Sequence, residues 1–167
     1  MNPKLKNREE SIRILQGLLS LLRAQYWAYQ NAHWETKGPA FYGSHLLFQR
    51  IYEGEDEDSG PSIQDDVDGL AEKMVGIYGP EAVCSPILLA MTSKWILRWQ
   101  KIDDLHKRMF LSEVDFQRCV KATYDRLKAM GELSLGMDDW LMATASSHET
   151  NQYLLRQVLR SKESAGR

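Results

Sequence analysis

Histidine is scarce in this chain, which has four. Two of them open and close the stretch HWETKGPAFYGSH as His33 and His45. A neutral imidazole offers one lone pair and one N–H and titrates near neutrality, so a close pair can hold a transition metal or pass protons. Two histidines satisfied inside a core are the alternative, and the faces they occupy decide between the readings. His106 belongs to Asp103-x-x-His106, which reads as a surface feature, and His148 stands in SSHETN. Bundles that hold two metals in their core use Glu-x-x-His on each of two helices. That spacing is missing: Glu72, Glu81 and Glu149 are each followed three places on by another residue type. Cys84 and Cys119 are far apart with no CxxC spacing and read as reduced thiols.

The elements that must position these residues are helical. Ile12, Leu15, Leu19, Leu22, Tyr26, Tyr29 and His33 follow at steps of three and four, a buried stripe along one long helix. Asn7 or Ser11 is available to cap its start, and Gly38-Pro39 stops it. His33 ends the stripe, so it faces inward or toward a partner. Phe41, His45, Phe48 and Tyr52 form a second stripe. EGEDEDSGPS at 53–62 reads as an exposed acidic loop, after which Ile63, Val67, Leu70, Met74 and Ile77 resume a helix as far as Gly79-Pro80.

Residues 80–112 read as a crossover with one or two helical pieces. Ser112 is a candidate cap for a third long helix through Val120, Tyr124, Leu127 and Met130. A fourth, from about Gly136 to Arg160, carries Met137, Leu141, Thr144, His148, Asn151, Leu155 and Val158 in register. Thr144, His148 and Asn151 make a polar band on it, suited to core hydrogen bonds or to a second metal site. No alternating strand pattern is present. The expected fold class is all-α, a ferritin-like four-helix bundle with a long crossover between second and third helices. One domain covers 1–167, with tails at 1–10 and 161–167.

A net charge of -2 and a pI near 6.1 argue against a dedicated nucleic-acid binder. The N-terminal MNPKLKNREES is polar and no apolar run reaches the ~18 residues of a membrane span, so a cytoplasmic protein is expected.

HWETKGPAFYGSH resembles the HW-x-x-KGP-x-F-(F/Y)-x-x-H signature of the Dps miniferritins, the DNA-protection-during-starvation branch of the ferritin superfamily. VDGLAEKM (67–74) is similar to that family's VD-x-(I/L)-AE-(K/R), and SSHETNQYLLRQVL (146–159) to its last helix. The resemblance implies ferroxidation and iron storage in response to oxidative stress. Fe(II) would be oxidised by peroxide or oxygen at sites between two-fold mates, within a hollow dodecamer. The implied ligands are His33 and His45 from one subunit and Asp68 and Glu72 from its mate. Iron suits that set, since carboxylates favour a hard cation and imidazoles tune it. Asp68 and Glu72 stand at i and i+4, beside and behind the core stripe. Trp34 is expected to pack at the same interface.

Two departures favour an alternative, a non-catalytic shell or scaffold. Gln49 stands where the family has a carboxylate one turn after the second histidine, and the acidic segment interrupts the second helix. DNA association would depend on tail residues Lys4, Lys6, Arg8, Arg160, Lys162 and Arg167, among which Glu9, Glu10 and Glu163 are interleaved.

Overall fold

Helix α1 runs Pro3–Glu35 in the computed structural model, which describes residues 3–54 and 61–165. It starts upstream of both Asn7 and Ser11, so neither caps it. The Lys, Arg, Glu and Leu of the first turns are good helix formers, and Glu9 pairs with Arg13 at i, i+4. Arg8 donates to the Tyr78 carbonyl at 3.1 Å and Arg126 pairs with Glu10, so these turns also dock on other elements.

Then follow α2 (Phe41–Glu53), α3 (Ile63–Tyr78), a 3-10 turn (Pro80–Ala82), α4 (Pro86–Trp99), α5 (Leu105–Met130) and α6 (Leu135–Ala165). There is no strand among the described residues. Most of both segments expected as tails is thus helix. α5 begins before Ser112: Asp104 is its N-cap, accepting from the Lys107 N–H at 2.9 Å, and His106 falls in its first turn.

The bundle consists of α1, the α2–α3 pair, α5 and α6. α1 packs on α2, α3 and α5, while α5 packs on α6. α4 is the crossover helix and lies along α1. This cover explains why Leu18, Leu21 and Ala24, off the expected stripe, are as buried as Leu15, Leu19 and Leu22 on it. Asp115 ties the crossover to α5, accepting from Trp99 Nε1 at 3.0 Å and Arg98 at 3.1 Å.

The second helix of the bundle comes in two pieces with separate signals. Gly54, at φ 81°, ends α2 with its N–H on the Arg50 carbonyl. Residues 55–60, the middle of the expected acidic loop, lie outside the described residues. Ser62 then starts α3 with a capping box: its Oγ accepts from the Asp65 N–H while Asp65 Oδ2 accepts from the Ser62 N–H at 2.8 Å. Ile63, Leu70 and Met74 are buried as expected, whereas Val67 is half-buried and Ile77 exposed. At the far end of α1, Gly38 adopts φ 85°, a turn that returns the chain and brings α2 back along α1.

Candidate functional site

The turn at Gly38 sets the last turn of α1 against the start of α2, and His33 meets His45 there. Their rings stack with centroids 3.6 Å apart. His33 Nδ1 bonds to the His45 carbonyl at 2.9 Å, and His45 Nδ1 to the His33 carbonyl at 3.1 Å. A carbonyl only accepts, so both Nδ1 atoms carry the proton and the tautomer is fixed. In the neutral form each ring has its lone pair on Nε2, the arrangement a metal-binding histidine adopts when its other nitrogen is held by a carbonyl. Phe41 stacks on His45, and Tyr52 sets its edge against His33. Phe41, Trp34 (64% exposed) and Tyr42 (72% exposed) leave an apolar rim beside the pair open to solvent.

Asp68 and Glu72 lie elsewhere. Both are exposed on α3, and among the described residues neither is in a salt bridge. Asp68 lines a groove of about 410 Å³ with Arg23, Tyr26, Trp27 and Gln64. Tyr26 stands two turns before His33, roughly 10 Å along the axis of α1. A single protomer therefore brings the two histidines together but does not bring Asp68 to them. Among the described residues, no three His, Cys, Asp or Glu side chains are arranged to hold a metal ion. Gln49 donates to Glu53 Oε2 at 3.1 Å, so the nearest carboxylate along α2 is a turn further on.

A separate grouping, of one histidine with two carboxylates, fills the middle of the bundle. His148 of α6 is fully buried and stacks on Phe116. Its Nδ1 bonds to Glu113 Oε2, and its Nε2 lies 3.3 Å from Asp66 Oδ2, an ion-pair contact without hydrogen-bond alignment. Glu113 Oε1 accepts from the Tyr29 hydroxyl at 2.6 Å, and Asp66 Oδ1 from Thr144 at 3.0 Å. All four bundle helices contribute. Burial alone would push the imidazole down, but the Glu113 charge and the contacts with Asp66 and Glu113 outweigh it and raise His148 to about 9. It is therefore an imidazolium between two carboxylates at neutral pH. Burial, followed by the Glu113 charge, raises Tyr29 well above the usual phenol range. The sequence reading found His148 and Thr144 but not Asp66 or Glu113. Their signal is a carboxylate in phase with an apolar stripe: Asp66 with Ile63 and Leu70, Glu113 with Phe116 and Val120.

His106 is not the surface residue its motif suggested. It is 5% exposed, with Nε2 on Ser44 Oγ at 3.0 Å and Nδ1 on Lys162 Nζ at 3.0 Å. An ammonium only donates, so Nδ1 accepts and Nε2–H faces the hydroxyl. Burial, with Lys162 adding to it, lowers His106 to about 4. This neutral ring links α5 and α6 to the residue before His45. Cys84 and Cys119 are free, and burial raises the Cys119 thiol to about 11.

No family profile matches the sequence, and no curated protein matches it. Solved structures do. Dps from Thermosynechococcus elongatus aligns with TM-score 0.72 and 18% identity over 95% of each chain. DpsC from Streptomyces coelicolor gives 0.72 and 18%, covering 92% of this chain and 86% of that one. An archaeal Dps homologue from Halobacterium salinarum gives 0.68 and 16%, covering 92% and 81%. α1, α2 with α3, α5 and α6 form the bundle and α4 the crossover, so the chain has the ferritin-like fold of the Dps miniferritins.

Proposed function

We propose that this chain is the subunit of a ferroxidase and iron store that works as a homo-oligomer. Fe(II), the substrate, binds between His33 and His45 of one protomer and Asp68 and Glu72 of a second copy. The observation that carries this reading is the reciprocal bonding of His33 and His45, which leaves both Nε2 atoms as acceptors. Asp68 and Glu72 add anionic oxygen on a different patch, as a site shared between copies requires. The apolar rim of Trp34, Phe41 and Tyr42 suits burial against another molecule. Two Fe(II) ions give one electron each to a peroxide, which takes up two protons and leaves as two waters. By likeness of fold, the assembly is a dodecamer built from two-fold dimers that keeps the ferric product inside.

Subunit mixing tests the shared site. His33→Ala/His45→Ala and Asp68→Asn/Glu72→Gln assemblies should each lack Fe(II) oxidation above the buffer rate in stopped flow. Reassembled together, they should regain part of it, because each mixed interface holds one complete ligand set. No regain, or a monomer by sedimentation at micromolar concentration, sinks the proposal. A non-catalytic shell is the second reading. The Gln49 amide, which donates to Glu53 where iron would want a carboxylate, favours it. That reading requires no Fe(II) oxidation above buffer by the unmodified chain.

A further inference from the structure

The break between α2 and α3 leaves the rotation of α3 about its own axis to be fixed by something other than chain continuity. The capping box at Ser62 decides where the helix starts but not which way it faces. An α-helix turns by about 100° per residue, so Asp68 and Glu72 lie about 200° and 240° round the axis from Asp66. With Asp66 pointing into the bundle, the other two must point out. Ile63, Leu70 and Met74 favour the same side, but apolar burial is non-directional and tolerates repacking. Asp66 is more exacting. It is 3% exposed, accepts from Thr144 Oγ1 at 3.0 Å and faces His148 Nε2 at 3.3 Å. Both partners are on α6, so each fixes α3 relative to that helix. A steric stop lies beside them: a Cβ on Gly69 would sit 3.0 Å from Trp140 Nε1, so rotation that swung a larger side chain to that place would clash.

We propose that Asp66 is a positioning residue. Held by Thr144 and His148 of α6, it sets the rotation of α3 and so aims Asp68 and Glu72 outward for iron. This rests on the shared iron site proposed above. Fixing register is the best-attested use of buried polar and ionic groups in helical assemblies. Here the helix ends at Gly54 and Ser62 supply the need for one.

The experiment compares three variants of the full assembled chain by amide exchange across Ile63–Tyr78 and by anaerobic Fe(II) titration. Asp66→Ala with Thr144→Val unlinks α3 while leaving the Tyr29–Glu113–His148 bonds in place. Asp66→Asn keeps the shape of the side chain and an acceptor for Thr144 Oγ1. Thr144→Val alone removes one partner and is the milder arm. The first variant should exchange α3 amides faster than those of α1 and lose about 10- to 100-fold in Fe(II) affinity, the usual cost of removing the groups that orient a ligand. Asp66→Asn should restore both readouts, whereas loss of stability alone would not separate Ala from Asn in the folded protein. Should the first variant not assemble, Thr144→Val decides, with both readouts expected to move in the same direction. Unchanged exchange overturns the proposal, and so does faster exchange with parental affinity. A parent chain whose Fe(II) binding ignores Asp68→Asn/Glu72→Gln overturns the iron site instead. The exchange comparison then still decides whether Asp66 holds α3.

Discussion

At the end of α1, His33 and His45 spend their Nδ1 protons on each other's backbone and keep Nε2 free. In the bundle core His148 spends both nitrogens, one on Glu113 and one toward Asp66. Both groupings are built on imidazole, and the difference lies in what is left over. A buried imidazolium between two carboxylates has its charge matched, and a cation entering it would first have to break those ion pairs. A pair that satisfies one nitrogen per ring from the backbone is oriented yet unfinished. The capacity to bind a ligand thus resides in unspent lone pairs, not in the density of titratable groups.

The largest way to break that comparison is to remove one member of the core. Glu113→Ala leaves an imidazolium facing Asp66 alone and a Tyr29 hydroxyl with no acceptor. Apo stability should fall by about 3–5 kcal/mol, the usual cost of unpairing a buried charge. The same truncation in the histidine pair, His33→Ala, should cost about 1–2 kcal/mol, since the one bonded group it releases is the carbonyl of the half-buried His45. Urea midpoints of the apo assemblies at fixed protomer concentration check both. Equal losses would mean that the two groupings do the same job.

This contrast also shows what could be read from the sequence. The steps of three and four in the helices and the Gly38-Pro39 stop come straight from the order of residues, and the structure agrees with them. The core ion group did not come through. Apolar periodicity treats a carboxylate in phase with leucines as noise, and Asp66 and Glu113 are separated by 47 residues (113 − 66). Only the packing of α3 and α5 on α6 reveals that each has a counter-ion. His106 was misread for a related reason: with the start of α5 placed at Ser112, the ring had no helix to put it inside. The tautomers of His33 and His45 are set by backbone carbonyls, which no side-chain pattern records.

A somewhat smaller effect follows from pH. In the folded chain His148 is raised to about 9 from 6.5. A group raised on folding stabilises fully below its unfolded value and loses that contribution as pH climbs through the folded one. Stability should therefore hold up to about pH 6.5 and decline toward pH 9, by on the order of 3 kcal/mol for a shift of this size. His148→Gln should flatten the slope between those limits. A wild-type curve already flat there would show that the core ring is neutral.

The smallest change sharpens the surface side. Gln49→Glu puts a carboxylate one turn after His45, where the neutral amide now donates to Glu53. The hydrogen bond is lost and two acids face each other at i, i+4, so apo stability should fall by about 0.2–0.5 kcal/mol. Bound iron reverses the sign of that repulsion, because a cation beside the His45 Nε2 would draw both carboxylates toward it. Fe(II) affinity should rise in anaerobic titration while apo stability drops. The two must move in opposite directions for the surface grouping to be unfinished in the sense that the core is not. If affinity instead falls along with stability, position 49 does not face the iron of the proposed site, and the proposed ligand set stays at the two histidines and the carboxylates of α3.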